Sequence, residues 1–488
     1  MPTDSIRPHH SAARILSEMC AEFGLNEPEG FDLESIEVTG VSSDHRSVEA
    51  GDIFVAMPGR RAHGAEFLAD VVEAGAVAVL TDPAGAEHAA ALDLPVLVVD
   101  APRLALGHVA QWVYRTDPEA PRLFGVAGSI GTTSVSCLVA DLFGRLGVAA
   151  GLSTSIGRRV DEQRAVATLT TPEADDLHAL VARMREVGAR VAAIEISSQA
   201  LSGQRLAALE FEVVGPFTFT GSDAEAADFF ELHRLLLDPE VASSAVINVD
   251  SQVGRELVEA ARVPVATLSG EPDSNADWVV EWRPVQGGTE FTVRGHDERV
   301  VTSRITKPGK LAALNAAAAI VMIAEGGWAT EQIQDALDRT GGIDVFIPGR
   351  LELVSVHGDA PEVFIDVDDR PDAIRGALET LREADARKPH LVVHPADGAD
   401  AAEAFASLRD LAAEPILVAG EADAQPAPGV RVVAGAAQAL QLAAHDAGRD
   451  GRILFVEPRA DALRVINEGD LVDPTVELVR DVLDEITW

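Results

Sequence analysis

The chain has 488 residues, enough for two to four domains with buried cores of their own. Its 39 basic residues stand against 79 acidic ones, and the net charge of −40 excludes nucleic acid and anionic lipid as partners by repulsion. An anionic substrate would have to be met by local arginines, helix ends or a bound cation.

Lysine occurs only at 307, 310 and 388. Arginine is no free substitute, because its planar fork differs from a compact ammonium and it forms no lysine-type carbamate. Cys20 and Cys137 both lie in apolar helical patterns, which argues for buried thiols and against a disulfide framework or a cysteine metal site. The polar start of the chain runs into an amphipathic pattern, Ala12 to Phe23, with no signal-like apolar core. The most apolar helical stretch, Leu311 to Ala324, is too short to span a bilayer, so a cytoplasmic protein with no membrane partner is expected.

In chain order, Ile36 to Ala56 reads as strand, turn, strand, followed by the basic loop Pro58-Gly59-Arg60-Arg61-Ala62-His63-Gly64 and alternating helix and strand segments to about Pro118. Arg46, Arg60 and Arg61 gather positive charge in an acidic protein. Two readings stand, a turn that holds a diphosphate and arginines that aid solubility.

From Ala120 to about Gly341, apolar strands alternate with helices, as in a mostly parallel doubly wound sheet. Expected strands are Leu123–Val126, Val191–Ile196, Val213–Phe219, Ser244–Asn248 and Val263–Leu268. Functional loops in such sheets lie beyond the carboxyl ends of strands. One such loop is Gly128-Ser129-Ile130-Gly131-Thr132-Thr133-Ser134, a strand-to-helix glycine turn of the kind that cradles phosphate. It reads Gly-Thr-Thr where a phosphate loop has Gly-Lys-Thr, and a purely structural turn is the competing reading. Glu195, at another strand end, is either a magnesium ligand or an exposed carboxylate. A third segment, hinged at Pro348-Gly349, repeats the α/β alternation through Val363–Val367, Ala373–Arg382, Leu391–Val393, Ile416–Ala419, Ala436–Ala444 and Ile453–Val456. Glu421 to Pro428 reads as a solvated loop.

Taken in order, several stretches resemble the Mur ligases: Ser42-Ser43-Asp44-His45-Arg46 with Gly51–Ala56, the loop Gly128–Ser134, Ser155-Ile156-Gly157, Thr170-Thr171-Pro172-Glu173, Glu195-Ile196-Ser197-Ser198, and Pro348-Gly349-Arg350-Leu351-Glu352. The resemblance is greatest to the branch that adds the third peptide residue to UDP-N-acetylmuramoyl-L-alanyl-D-glutamate. It implies three α/β domains: 1–118, which binds the UDP-sugar; 119–341, a central phosphate-loop domain; and 342–488, a Rossmann-like C-terminal domain. It also implies ATP and magnesium, since such enzymes phosphorylate a carboxylate that an amine then attacks, and cations neutralise the developing charge.

Residue by residue, the resemblance assigns Ser43, Arg60, Arg61 and Ala62 to the uridine diphosphate and Thr170, Thr171, Ser197 and Arg205 to the muramoyl dipeptide. It assigns Asn315, Arg350 and Asp366 to the nucleotide, and Thr133 and Glu195 to a metal. The cationic chemistry has departed from the pattern. Thr132 replaces the loop lysine, Gln199 replaces a histidine, and His233 falls nearest the lysine that the family carbamylates. Val456-Glu457-Pro458-Arg459 replaces the family's Gly-x-Gly-His-Glu region, and Asp366-Val367-Asp368-Asp369-Arg370-Pro371-Asp372 keeps acids and proline without tyrosine or histidine.

The leading expectation is a pseudoenzyme that binds a UDP-muramoyl peptide precursor or an active cell-wall ligase, with no confident catalytic residue and no cofactor. One alternative is an active ligase with ATP and magnesium in which Arg158, Arg159 or Lys310 reaches the phosphates. The other is an acidic scaffold for a basic partner.

Overall fold

The run Val191–Ile196 shows no polar alternation because both of its faces are covered, as in a parallel strand between helices. A computed structural model describes every residue except 1–4, 60, 90–91, 117–120, 355–359, 369, 385–386, 395–404, 406, 420–428, 458–463, 467–469, 473 and 487–488. Arg60, Asp369, Pro458, Arg459 and the stretch 421–428 therefore lie outside the described residues, as does the segment around Pro118.

The central sheet has eleven strands, with Arg122–Ala127 flanked by Val191–Ile196 on one side and Phe211–Pro216 on the other. Seven neighbouring strands, from Ala150–Thr154 across to Trp278–Val285, run parallel. The chain switches direction across the sheet beside Arg122–Ala127, which puts the loop that follows at the switch point where α/β sheets bind ligands. Both margins are antiparallel, Gly157–Val160 with Gln163–Ala165 at one edge and Gly288–Gly295 with Val300–Ile305 at the other. Neither margin was expected as strands. The signal was present in the alternation of Trp278–Val285 around Gly287 and Gly288, whose positive φ values of 79° and 147° suit a hairpin turn. The expected strand Val213–Phe219 instead spans Phe211–Pro216 and stops before Phe217, which has φ 55°.

A second sheet of four parallel strands, Gly40–Ser42, Asp52–Ala56, Ala78–Thr81 and Val96–Val98, lies on the N-terminal side. A third sheet of six strands, centred on Glu362–Asp366, Arg452–Val456 and His390–Val393, lies on the C-terminal side. Helix Ala174–Glu186 joins the first two units. Its Ala174, Ala179 and Ala182 pack into the N-terminal core, while Leu177, Leu180, Val181 and Met184 pack into the central one.

The N-terminal segment makes a second bridge. Ile6 is buried in the central core, and the neighbouring Arg7 sends two hydrogen bonds of 2.9 and 2.8 Å to the buried Asp52. Helix Lys310–Glu325 is buried over most of its length, and its small side chains let it lie close against helix Thr132–Arg145. Cys20 and Cys137 are free, buried thiols. Among the described residues no helix is long and apolar enough to cross a membrane.

Two stability predictions follow from these buried charges and rings. Arg7→Ala leaves the Asp52 carboxylate buried without its partner and is expected to destabilise by about 3–5 kcal/mol in urea denaturation; a change near zero would show that the pair is dispensable. His178 and His233 are buried, and burial holds both rings down to about 4 from an ordinary 6.5. The unfolded chain takes up the extra protons in that window, so stability from the neutral rings is full above the unfolded value and is lost as pH falls toward 4. Asp175, pushed up by burial and by Asp176, acts with the opposite sign, so variant and parent are compared at each pH. His233→Phe is expected to flatten the fall of Tm on acidification, and an unchanged slope would refute this assignment.

Candidate active site

Gly131 opens helix Thr132–Arg145 with φ 80°, a left-handed turn that glycine adopts without strain. A Cβ there would come within 2.4 Å of the Asn315 side-chain oxygen, so Asn315 is pressed against the turn. At its start the loop is bonded to a neighbouring turn. The Ser129 backbone N–H donates to the Thr218 carbonyl at 2.9 Å, and its hydroxyl donates to the Thr220 carbonyl at 3.0 Å. A phosphate-cradling loop turns such N–H groups to the ligand, and the one at Ser129 is already taken.

Glu195, only 3% exposed, is not the solvent-facing carboxylate of one sequence reading. Its Oε1 accepts hydroxyl bonds from Thr132 at 2.8 Å and Thr133 at 2.9 Å, and its Oε2 accepts the Ser155 N–H at 2.7 Å. Thr133 is saturated in turn. Its hydroxyl donates to Glu195 and accepts from Arg350 at 3.0 Å and from Ser155 at 3.0 Å, which uses its one proton and both lone pairs.

A magnesium ion at Thr133 and Glu195 does not fit this arrangement, since the hydroxyl has no lone pair left for it. Among the described residues no group of three or more His, Cys, Asp or Glu side chains is arranged to hold a metal. His233 is a core histidine. It stacks on Phe229 at 3.7 Å between ring centres, and its Nδ1 bonds the Phe229 carbonyl at 2.8 Å.

Beside the loop lies a cavity of about 120 Å³, whose walls include Ser129–Ser134, Asn315, Lys307, Arg350, Asp366 and Arg370. The resemblance drew Asn315, Arg350 and Asp366 from separate stretches, and the fold brings them to one place. The volume equals about four waters, against roughly 300–1,000 Å³ for sites that enclose a drug-sized ligand.

Of its cations only Arg350 was named for the nucleotide, and the three proposed to reach the phosphates lie elsewhere. Lys310 is drawn off to Glu271 at 2.7 Å, Arg158 bonds the carbonyls of Thr154 and Leu169, and Arg159 lines a different cavity. Lys307 and Arg370 stand here beside Arg350. The Lys307 ammonium, held below its usual value by burial, donates to the Arg350 carbonyl at 2.5 Å. Arg370 donates to the Ser129 carbonyl and to Asp368, both at 2.8 Å, which ties the C-terminal unit to the loop. Burial raises the Asp368 carboxyl, but the Arg370 guanidinium outweighs that and holds it below the usual carboxylate range. Sequence reasoning passed over Lys307, although a lysine in a chain with only three was the available signal.

The residues assigned to the dipeptide also converge. Thr171 donates to the Glu195 carbonyl at 2.8 Å and accepts the Ser197 N–H at 3.0 Å. Arg205 donates to the Thr171 carbonyl at 3.2 Å and to Glu173 at 3.0 Å, and Thr170 is the partly exposed neighbour of this cluster. In the N-terminal unit, the Ser43 N–H donates to the buried Asp175 at 2.6 Å. Arg61 is exposed, and the Ala62 carbonyl closes the loop by accepting the Gly59 N–H at 3.0 Å.

Comparison with known proteins gives this geometry a family. The profile described as Mur ligase family, catalytic domain, matches residues 37–114, and the profile described as Mur ligase middle domain matches residues 126–323. A Leifsonia xyli protein named UDP-N-acetylmuramyl-tripeptide synthetase is 46% identical over 401 residues, covering 81% of this chain and 77% of the relative. A Streptomyces avermitilis protein named UDP-N-acetylmuramoyl-L-alanyl-D-glutamate--2,6-diaminopimelate ligase is 36% identical over 79% of this chain and 76% of its own. Among solved structures, a UDP-N-acetylmuramoyl-L-alanyl-D-glutamate--2,6-diaminopimelate ligase superposes with a TM-score of 0.64 at 19% identity, covering 97% of this chain and 99% of its own. MurF from Acinetobacter baumannii does so with a TM-score of 0.69 at 17% identity, covering 97% and 100%. With its N-terminal, central and C-terminal α/β units arranged as in these structures, the chain belongs to the Mur ligase family.

Proposed function

We propose that this chain serves peptidoglycan-precursor metabolism as a Mur ligase family member that binds a UDP-N-acetylmuramoyl-peptide without turning over ATP, divided into domains at about 118 and 341. The observation that carries this reading is the closed network around Glu195. Thr132 and Thr133 spend their hydroxyls on the carboxylate that would otherwise face a metal-bound triphosphate. Thr170, Thr171, Ser197 and Arg205 keep a polar cluster on the precursor side, and Ser43, Arg61 and Ala62 keep the loops assigned to the uridine diphosphate. An active cell-wall ligase is the protein partner consistent with this role.

The names of the relatives favour a second reading, an ATP-dependent ligase that adds the third peptide residue. Lys307, Arg350 and Arg370 around one cavity are the observation on its side, because together they offer the cationic field that Thr132 does not. ATP and magnesium are cofactors under this reading only, and it requires the Thr133 network to open.

Under the first reading, UDP-muramoyl dipeptide at about 100 times its dissociation constant stabilises the native state by about 2.7 kcal/mol in a thermal-shift titration. No shift at millimolar ligand would exclude binding. A coupled ADP-release assay with precursor and an amino-acid panel is expected to stay at background. Sustained turnover that Lys307→Met lowers by about 10²–10³ would establish the second reading in its place. Glu195→Ala, which leaves the Thr132 and Thr133 hydroxyls and the Ser155 N–H without their acceptor, is expected to destabilise by about 1–3 kcal/mol in urea; no loss would show that the network is not structural.

A further inference from the structure

A second cavity, of about 650 Å³, lies beside helix Thr132–Arg145, under the edge hairpin Gly157–Val160/Gln163–Ala165, and between the linker around Phe346 and helix Pro474–Glu485. Its volume is that of a small-molecule site. The lining residues differ from those around the phosphate-sized cavity.

Arg159 and Arg164 are direct Cα partners across the antiparallel hairpin, and Leu152 is the partner of Arg159 on its other side. Residues so paired project to one face with Cβ atoms about 5 Å apart, and like charges directly opposite are destabilising. Neither arginine side chain has an ion pair or hydrogen bond among the described residues, in a protein with 79 acidic side chains to draw on. Arg480 comes from the opposite wall, also without a partner among the described residues.

The acids that line the cavity are Asp141, Glu352 and Glu477. Asp141 is taken by Arg145 at 2.5 Å and Glu352 by the Gly349 N–H at 2.8 Å, while Glu477 stands exposed on the helix of Arg480. The remaining wall is apolar and includes Leu152, Ile156, Val345 and Phe346, whose ring is 72% exposed. Cys137 adds a neutral thiol, pushed up to about 12 by burial.

We propose that this cavity binds a small organic phosphate, with its oxygens between Arg159, Arg164 and Arg480 and its apolar body against Phe346 and Leu152. A phosphate offers three acceptor oxygens to guanidinium forks arriving from two walls, and its charge relieves the repulsion inside the cross-strand pair. Pro348 and Glu352 line this cavity and Arg350 lines the phosphate-sized one, so the linker carries one wall of each.

Calorimetry on the full chain with phenyl phosphate, inorganic phosphate and benzoate as probes tests the assignment. Phenyl phosphate is expected to bind saturably at millimolar concentration or below, with inorganic phosphate and benzoate each weaker by about tenfold or more. Arg159→Gln with Arg164→Gln is expected to weaken phenyl phosphate by about 10–100-fold, and Lys307→Met in the other cavity to leave it unchanged. Arg164→Glu turns the repelling pair into an attracting one, so it is expected to raise Tm while abolishing binding, which a merely structural arginine would not do. The proposal is overturned by absence of saturable binding, by benzoate binding as tightly as phenyl phosphate, by binding that survives the double substitution, or by loss of binding in Lys307→Met.

Discussion

The strand-end carboxylate of Glu195 fixes the character of the site. A carboxylate excluded from water has to be paired or fully hydrogen-bonded, because an unsatisfied buried charge costs several kcal/mol. Here three donors meet that demand, the hydroxyls of Thr132 and Thr133 and the N–H of Ser155. All three belong to the turns beyond the strand ends, at Thr132, Thr133 and Ser155. The same bonds that stabilise the fold therefore occupy two hydroxyls and one N–H of those turns.

The closure extends to the C-terminal unit. Arg350 reaches Thr133, and Arg370 reaches the Ser129 carbonyl, so one guanidinium group from the linker and one from beyond it hold the loop from outside. Each is near an acid of its own unit, with Asp366 3.7 Å from Arg350 and Asp368 2.8 Å from Arg370. Positive charge has not vanished from this part of the molecule. It stands on the far wall of a small cavity, paired to carboxylates, and an incoming anion would compete with those carboxylates for it.

Much of this was legible in the residues. Val191–Ile196 and Arg122–Ala127 announce a parallel core because their apolar runs do not alternate, and the glycines of the loop mark the switch point. What escaped was what depends on long-range placement. Glu195 looked like a residue at the end of a strand, and only the packing of Ser155 and Thr133 around it makes it buried. Lys307 and Lys310 are three residues apart and equally basic, yet one faces the cavity and the other pairs with Glu271, a difference set by where the following helix begins. The edge hairpins escaped for another reason: their half-exposed strands carry polar residues at alternate positions, a weaker signal than a continuous apolar run.

Placement also explains why net charge alone misleads about ligands. A chain at −40 repels polyanions at long range, but that field is screened beyond about 8 Å at physiological salt, whereas contacts inside a cavity are screened far less. Local arrangement then decides. Where arginine is paired, as at Arg370 with Asp368, the local field is small and an anion gains little by entering. Where two arginines pair across a hairpin with no acid between them, as at Arg159 and Arg164, the positive charge is not cancelled locally. Around the loop Gly128–Ser134 the guanidinium groups of Arg350 and Arg370 are bonded, and at the edge of the same sheet those of Arg159 and Arg164 have no partner among the described residues.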